Sequence, residues 1–259
     1  TNMVLDFLFV AVLPWGVAGA AIATGLSQCV GAVIPLFYFL RKDSLLRLIP
    51  TRLRAKPILA ACGNGSSELM SSISSSVVSM LYNFQLLKYI GEDGVSAYGV
   101  LMYVQFVFVA IYIGYAIGCA PVVSFHYGAG NKDELKNLLK ISVRLMAVLG
   151  VVLTALALLL GAPLATVFVG YDEGLFSFAF LFAGFNIFAS SFFTALNNGG
   201  VSAAISFLRT LVFQSASVML LPLLFDVDGI WYAITAAEVF ATLISAMFLF
   251  LKQKKYGYM

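Results

Sequence analysis

GIWYAITAAEVFATLISAMFLFLK, residues 229–252, is an apolar run holding one carboxylate, Glu238, and ending on a lysine. Crossing the hydrocarbon core of a bilayer takes about 20 such residues in a helix. A spanning strand would instead alternate apolar and polar residues over about ten positions, and no stretch of the chain does so. The run therefore reads as a membrane-spanning helix. Outward from it, similar runs lie at 17–40, 57–90, 95–127, 138–160, 174–198 and 207–225, making seven spans, and a shorter apolar piece precedes them at 2–13. Composition agrees. Of 259 residues 61% are apolar and 10% charged, against roughly 25% charged in a soluble domain, and the mean hydropathy is +0.98. A soluble enzyme, a nucleic-acid binder and a disordered tail are excluded. The fold class is an all-α integral membrane protein, a polytopic helix bundle.

The loops give an orientation. Arg41, Lys42, Arg47, Arg52, Arg54, Lys56, Lys132, Lys136, Lys140, Arg144, Arg209, Lys252, Lys254 and Lys255 fall on one set of loops, and Lys88 alone on the other. Acidic Glu92, Asp93, Asp172, Glu173, Asp226 and Asp228 lie with the poor set. Lysine and arginine concentrate on cytoplasmic loops, so the rich set and the C-terminus are expected in the cytoplasm.

The span 19–42, GAAIATGLSQCVGAVIPLFYFLRK, echoes 229–252. Gly19 meets Gly229, Ala23 meets Ala233 and Lys42 meets Lys252. This spacing implies a repeat of about 210 residues and six helices, whose copies share one orientation about an axis along the membrane normal. A whole protein built this way has about 420 residues and twelve helices. Thr1 stands where an initiator Met is expected, so the chain reads as the later part of such a protein.

Three carboxylates fall inside spans: Asp6, Glu68 and Glu238. A charge at membrane depth is costly and marks a cavity, a partner or a function. Glu68 is the strongest of them. It lies eleven residues past Pro57, about 16 Å along a helix, near mid-membrane. It sits in GNGSSELMSSISSSVVSMLYN (63–83), where Asn64, Glu68, Ser71 or Ser72, Ser75 and Ser79 recur every three or four residues as one polar stripe. No Lys or Arg is expected at its depth, so the carboxyl must hold a cation or a proton. Glu238 has a stripe of its own with Thr235, Thr242 and Ser245, suited to a cavity wall or to an interhelical hydrogen-bond anchor. An uncharged stripe, Asn186, Ser190, Thr194 and Asn197, suits a pathway wall or helix–helix hydrogen bonding.

Phenylalanines number 23, tyrosines 12 and tryptophans 2, and many lie mid-span. Tyr98, Tyr103, Phe106, Tyr112, Tyr115 and Phe125 crowd one helix, and an aromatic chamber suits flat organic cations. On the same helix Gly114 and Gly118 form a GxxxG, expected as a close-packing face. Cys29, Cys62 and Cys119 lie in apolar segments with no metal-ligand spacing and read as small packing residues. GAGNKDELK (128–136) lacks the preceding strand and spacing of a phosphate loop, and Asn131 is expected to cap the next helix. No metal or cofactor site is expected.

NMVLDFLFV (2–10) followed by GVAGAAIATGLSQ (16–28) resembles the fifth-to-sixth helix junction of the MATE (multidrug and toxic compound extrusion) transporters. YNFQLLKYIGEDGVSAYGVL (82–101), APVVSFHYGAGNKDELK (120–136) and GIWYAITAAE (229–238) resemble later parts of the same family, in its bacterial and archaeal multidrug-exporter branch. The resemblance covers the whole chain and implies twelve helices in two six-helix lobes. Residues 1–49 would end the N-lobe (the tail of helix 5, helix 6 and the start of a cytoplasmic linker), and 50–259 would be the C-lobe, helices 7–12. It also implies a multi-pass protein of the cell membrane that exports cationic or amphipathic small molecules by antiport with Na⁺ or H⁺. Its partners would be the lipid bilayer and an N-terminal lobe of the same protein, with no nucleic acid. Glu68 matches a carboxylate that is a cation-site residue in several relatives. Ser190 falls near an Asp that some of them carry in the fourth C-lobe helix, which puts a complete sodium site in doubt.

The site expected is Glu68 as the cation- or proton-coupling residue. Asn64, Ser71, Ser72, Ser75, Asn186, Ser190, Thr194, Glu238 and Asp6 are candidates for lining the pathway. The alternative is a flippase of the wider superfamily, moving a lipid-linked oligosaccharide or another lipid. Its anionic cargo calls for mid-membrane Arg or Lys, and the sequence offers none by this reading. A membrane-embedded enzyme would need an HExxH, paired aspartates or a Ser/Lys dyad at depth, and none is present.

Overall fold

A computed structural model describes residues 1–41, 54–168 and 177–258. Most of the basic linker expected after residue 41, and the loop holding Asp172 and Glu173, lie outside the described residues. The described residues are helical throughout, with no strand among them. The chain forms two compact units, Thr1–Ala55 and Lys56–Met259.

In the first unit α1 (Asn2–Val12) changes from α-helical to the wider π geometry at Phe7. It turns at Trp15, whose ring stacks on Phe9 at 5.0 Å, into α2 (Gly16–Leu40).

The second unit holds α3 (Ala55–Tyr89), α4 (Glu92–Gly128), α5 (Lys132–Phe168), α6 (Ala179–Ala195), α7 (Gly199–Leu220) and α8 (Pro222–Tyr256). Asn131 caps α5 as expected, its Oδ1 accepting from the Glu134 amide at 3.3 Å. Five helices among the described residues are long and apolar enough to cross a membrane: α2, α4 from Gln105, α5 to Leu159, α7 and α8. The 35-residue α3 falls short of that apolarity because its polar stripe replaces one apolar face.

The last two span boundaries differ from expectation. Residues 199–206 join the helix, because Asn198 caps it with Oδ1 accepting from the Val201 amide at 3.4 Å. The glycine pair Gly199–Gly200, which reads as loop, is the first turn of α7. Asn197 takes a positive φ of 56°, a conformation Asn tolerates better than most residues. Leu196–Asn198, the turn between α6 and α7, thus carries no basic residue, and Arg209 leaves the loop set used for orientation. At the other end α8 starts at Pro222 and kinks at Asp226 (φ 49°, ψ −127°), so the span expected from 229 begins just past the kink.

Helix α6 is the centre of this unit, with ten of its seventeen residues buried. Phe188, Phe192 and Phe193 are among its largest buried side chains. Small residues let backbones close on it. A Cβ on Gly184 would strike the Tyr112 ring, whose hydroxyl donates to the Phe180 carbonyl at 2.8 Å. The same logic shapes α8. A buried row of small residues, Gly229, Ala233, Ala237, Ala241 and Ser245, runs along it at spacings of four beside Ile230, Ile234 and Leu249, while Phe240, Leu243, Phe250 and Leu251 are exposed. Small residues along a helix contact suit membrane helices, because acyl chains solvate the large exposed residues and van der Waals packing drives helix association.

The GxxxG of α4 behaves otherwise than expected. Neither Gly114 nor Gly118 has an atom within 4 Å of where a Cβ would stand, so this face packs on no described residue of the chain.

Candidate functional site

A cavity of about 450 Å³ opens between α3, α4, α6, α7 and α8. From α3 it takes Glu68, Ser71, Ser75 and Ser79, from α4 Tyr98, Met102, Gln105 and Phe106, and from α6 Ser190 and Ser191. Helix α7 contributes Ser206, Arg209, Thr210 and Gln214, and α8 contributes Glu238. Glu68 is exposed, while the adjacent Ser67 and nearby Ser74 are buried behind it. Tyr98 of the cavity wall stacks on Tyr82 at 5.0 Å.

Glu238 meets a different environment. It is 8% exposed, and its carboxylate takes a fork of hydrogen bonds from Arg209. Arg209 Nε donates to Oε1 at 2.9 Å and to Oε2 at 3.1 Å, and Nη2 donates to Oε1 at 2.7 Å. From α6, Asn186 Nδ2 donates to Oε2 at 2.7 Å and to the Glu238 carbonyl at 3.1 Å. Thr242 Oγ1 donates to the same carbonyl at 2.8 Å. A planar fork on a carboxylate is among the stronger polar contacts available. One side-chain cluster thereby ties α6, α7 and α8 together.

Two expectations are corrected here. Arg209 is not a loop residue: it is the eleventh residue of α7, about 15 Å along the helix. A basic group does therefore share the cavity with Glu68, contrary to the expectation that none lies at its depth. The signal that would have found it is Asn198, a strong N-cap ahead of VSAAIS that fixes where the helix begins. The local backbone adds to the placement, since Phe207–Gln214 runs in π geometry. Such segments are rare and recur at functional sites.

The remaining expected residues divide. Ser71, Ser75 and Ser190 line the cavity with Glu68 and Glu238. Ser72 is exposed and does not line it; its carbonyl accepts from Ser76 at 3.1 Å. Asn64 lies where α3 meets α6, its Nδ2 donating to the Thr194 carbonyl at 3.4 Å. Close by, α3 crosses the start of α7 so tightly that a Cβ on Gly199 would clash with the Gly63 carbonyl. Thr194 serves helix–helix bonding, with Oγ1 donating to Ser202 Oγ at 2.7 Å. Ser190 Oγ in turn lies 2.8 Å from Ser202 Oγ and 2.9 Å from Ser206 Oγ. The Asn186 stripe is thus mainly an interhelical seam, and only Ser190 of it reaches the cavity. Asp6 belongs to the first unit, where its Oδ1 is buried without a hydrogen-bond partner among the described residues.

The crowded aromatics of α4 also separate. Tyr98 and Phe106 line the cavity, and Tyr115 bonds Ser142 Oγ at 2.9 Å. Tyr103 and Phe125 are 79% and 71% exposed. The three cysteines are free thiols. Among the described residues no cluster of His, Cys, Asp or Glu has the make-up of a metal site.

A family model described as MatE matches residues 69–220. Over 170 residues the chain is 26% identical to the multidrug export protein MepA of Staphylococcus saprophyticus, covering 64% of this chain and 37% of that protein. MepA of Staphylococcus haemolyticus is 25% identical over 173 residues with the same coverages. The chain therefore spans a little over a third of the length of these relatives. A solved outward-facing conformation of a multidrug resistance MATE family transporter of the MOP superfamily superposes with a TM-score of 0.88 at 20% identity, over 99% of this chain and 60% of that one. A MOP superfamily transporter from Pyrococcus furiosus, reported with a binding pocket of reverse polarity that suggests a different function, gives 0.86 at 20% identity, over 100% and 61%. These structures share the fold.

Proposed function

The chain belongs to the MatE family, and from that premise we propose that it carries the ion-coupling lobe of a secondary exporter of cationic and amphipathic small molecules. Glu68 binds and releases the coupling ion, Na⁺ or H⁺. Export follows alternating access of this lobe against a second, N-terminal lobe of the same protein. The protein lies in the cell membrane with the basic loops and the C-terminus in the cytoplasm.

One observation carries the reading. Glu68 is a carboxylate on helix α3, exposed to a cavity whose guanidinium is already engaged by another carboxylate. It is free to exchange an ion, and an ion bound there interacts differently with the outward- and inward-open states, as a shift in their populations requires. Around it Tyr98, Phe106 and Met102 supply faces for flat cations. The superfamily members named multidrug export proteins support the substrate class.

The flippase alternative is not favoured. Arg209 does reach the cavity, but Glu238 neutralises it, so the described lining offers no unpaired cation to an anionic headgroup.

The test is dye efflux from cells expressing the full-length gene, wild type against Glu68→Gln, under imposed Na⁺ and pH gradients. Export is expected to fall at least tenfold and to lose its ion dependence. Unchanged efflux with unchanged ion dependence would remove Glu68 from the mechanism.

A further inference from the structure

Three charged side chains line the cavity among the described residues: Glu68, Arg209 and Glu238. We propose that Glu238 is an internal counter-ion that masks Arg209, so that the Arg209–Glu238 pair sets the sign of charge the cavity presents and selects cations over anions. The inference rests on the export reading of the same cavity.

An arginine stays protonated in any protein environment, so its charge in α7 can be cancelled only by a partner. Glu238 supplies that partner in a form suited to an ionised carboxylate. Four hydrogen bonds reach its two oxygens from N–H donors, three from Arg209 and one from Asn186. Masking leaves Glu68 as the single unbalanced charge, and a cavity with one excess negative charge attracts organic cations and repels anions.

A purely structural role accounts for less of what is seen. The seam of Ser190, Ser202, Ser206 and Thr194 already joins α6 to α7 without any charge. The Arg209 side chain also remains 22% exposed and contributes to the cavity wall, where its charge reaches an occupant. Specificity of this kind works by repulsion as much as by attraction.

The experiment uses two dyes of similar shape and opposite charge, rhodamine 6G (cation) and fluorescein (anion). Binding to the purified full-length protein is followed by fluorescence polarisation. The wild type is expected to prefer rhodamine 6G. E238Q unmasks the guanidinium beside Glu68, so rhodamine 6G binding is expected to weaken at least tenfold and fluorescein binding to strengthen. R209Q/E238Q removes both charges, leaves Glu68 alone again, and is expected to restore the wild-type preference. R209Q, with two carboxylates unopposed, is expected to bind rhodamine 6G several-fold more tightly, and it carries the test should E238Q not yield folded protein.

An E238Q variant with wild-type preference overturns the masking role. So does a double variant that stays as weak as E238Q for the cation, since Glu238 would then contact the occupant itself. R209Q binding the cation less tightly than the wild type overturns it as well. If the wild type binds neither dye and E238Q gains fluorescein, masking stands and the export reading falls. If the wild type binds and exports rhodamine 6G while every variant keeps its preference, export stands and masking falls.

Discussion

Glu68 and Glu238 are the same residue type, on helices of one compact unit, on the wall of one cavity. They differ in everything else. Glu68 stands on the serine face of α3, exposed and with no ion-pair partner among the described residues. Glu238 stands on the small-residue face of α8 and is held by Arg209 and Asn186 from two other helices. A carboxylate among apolar helices is expensive, and the two sites meet that cost by different means. Glu238 is satisfied by protein and binds helices together. Glu68 faces the cavity with no ion-pair partner among the described residues, and in the role proposed for it its bonding depends on what enters. A carboxylate whose partners are supplied by the fold contributes to stability, whereas one whose partner must arrive from outside contributes to exchange.

The sharpest way to break this contrast is to remove half of the paired site. Glu238→Ala leaves a guanidinium at depth without a partner and is expected to cost about 3–5 kcal/mol. Thermal unfolding of the full-length protein in detergent would show it as a large fall in melting temperature; an unchanged melting temperature would place Glu238 in the same class as Glu68. Gly199→Ala comes next. The new methyl would meet the Gly63 carbonyl where α3 crosses α7, and the overpacking is expected to cost about 1–3 kcal/mol. Stability within error of the wild type would mean that this crossing is looser than described. Ser202→Ala removes a hydroxyl that accepts from Thr194, bonds Ser190 Oγ and donates to the Ser190 carbonyl in the α6–α7 seam. At about 0.6 kcal/mol for each interhelical bond in membranes, the loss should be about 1–2 kcal/mol; a loss several times larger would show the seam acting as one cooperative network. Glu68→Gln is expected to leave the melting temperature unchanged while abolishing ion-dependent efflux. A melting temperature that falls as far as that of Glu238→Ala would erase the distinction between the two carboxylates.

The helices were legible because most spans are runs of apolar residues long enough for a bilayer. The mid-helix place of Glu68 followed from counting residues after Pro57, and the Asn131 cap from a local rule that needs only its neighbours. Arg209 was misplaced for a local reason too. Two glycines after Asn197–Asn198 look like a loop, whereas Asn198 caps a helix that starts there. Other features were out of reach in principle. Periodicity says that Ser190 and Glu238 each lie on a polar stripe. Only tertiary packing decides that one stripe becomes a seam and that the other meets a guanidinium from α7. The GxxxG of α4 shows the converse, a packing motif whose partner is not among the described residues.

The π segment Phe207–Gln214 has a consequence for register. Its wider turns place residues at a different angular pitch from the α-helix before and after it. Such a segment behaves as a one-residue insertion absorbed within an otherwise continuous rod. Shortening α7 by one residue there would let the backbone return to ordinary helical winding and swing the guanidinium away from α8, with both helix ends still anchored. A length change too small to alter hydropathy would thus rewire the polarity of the chamber.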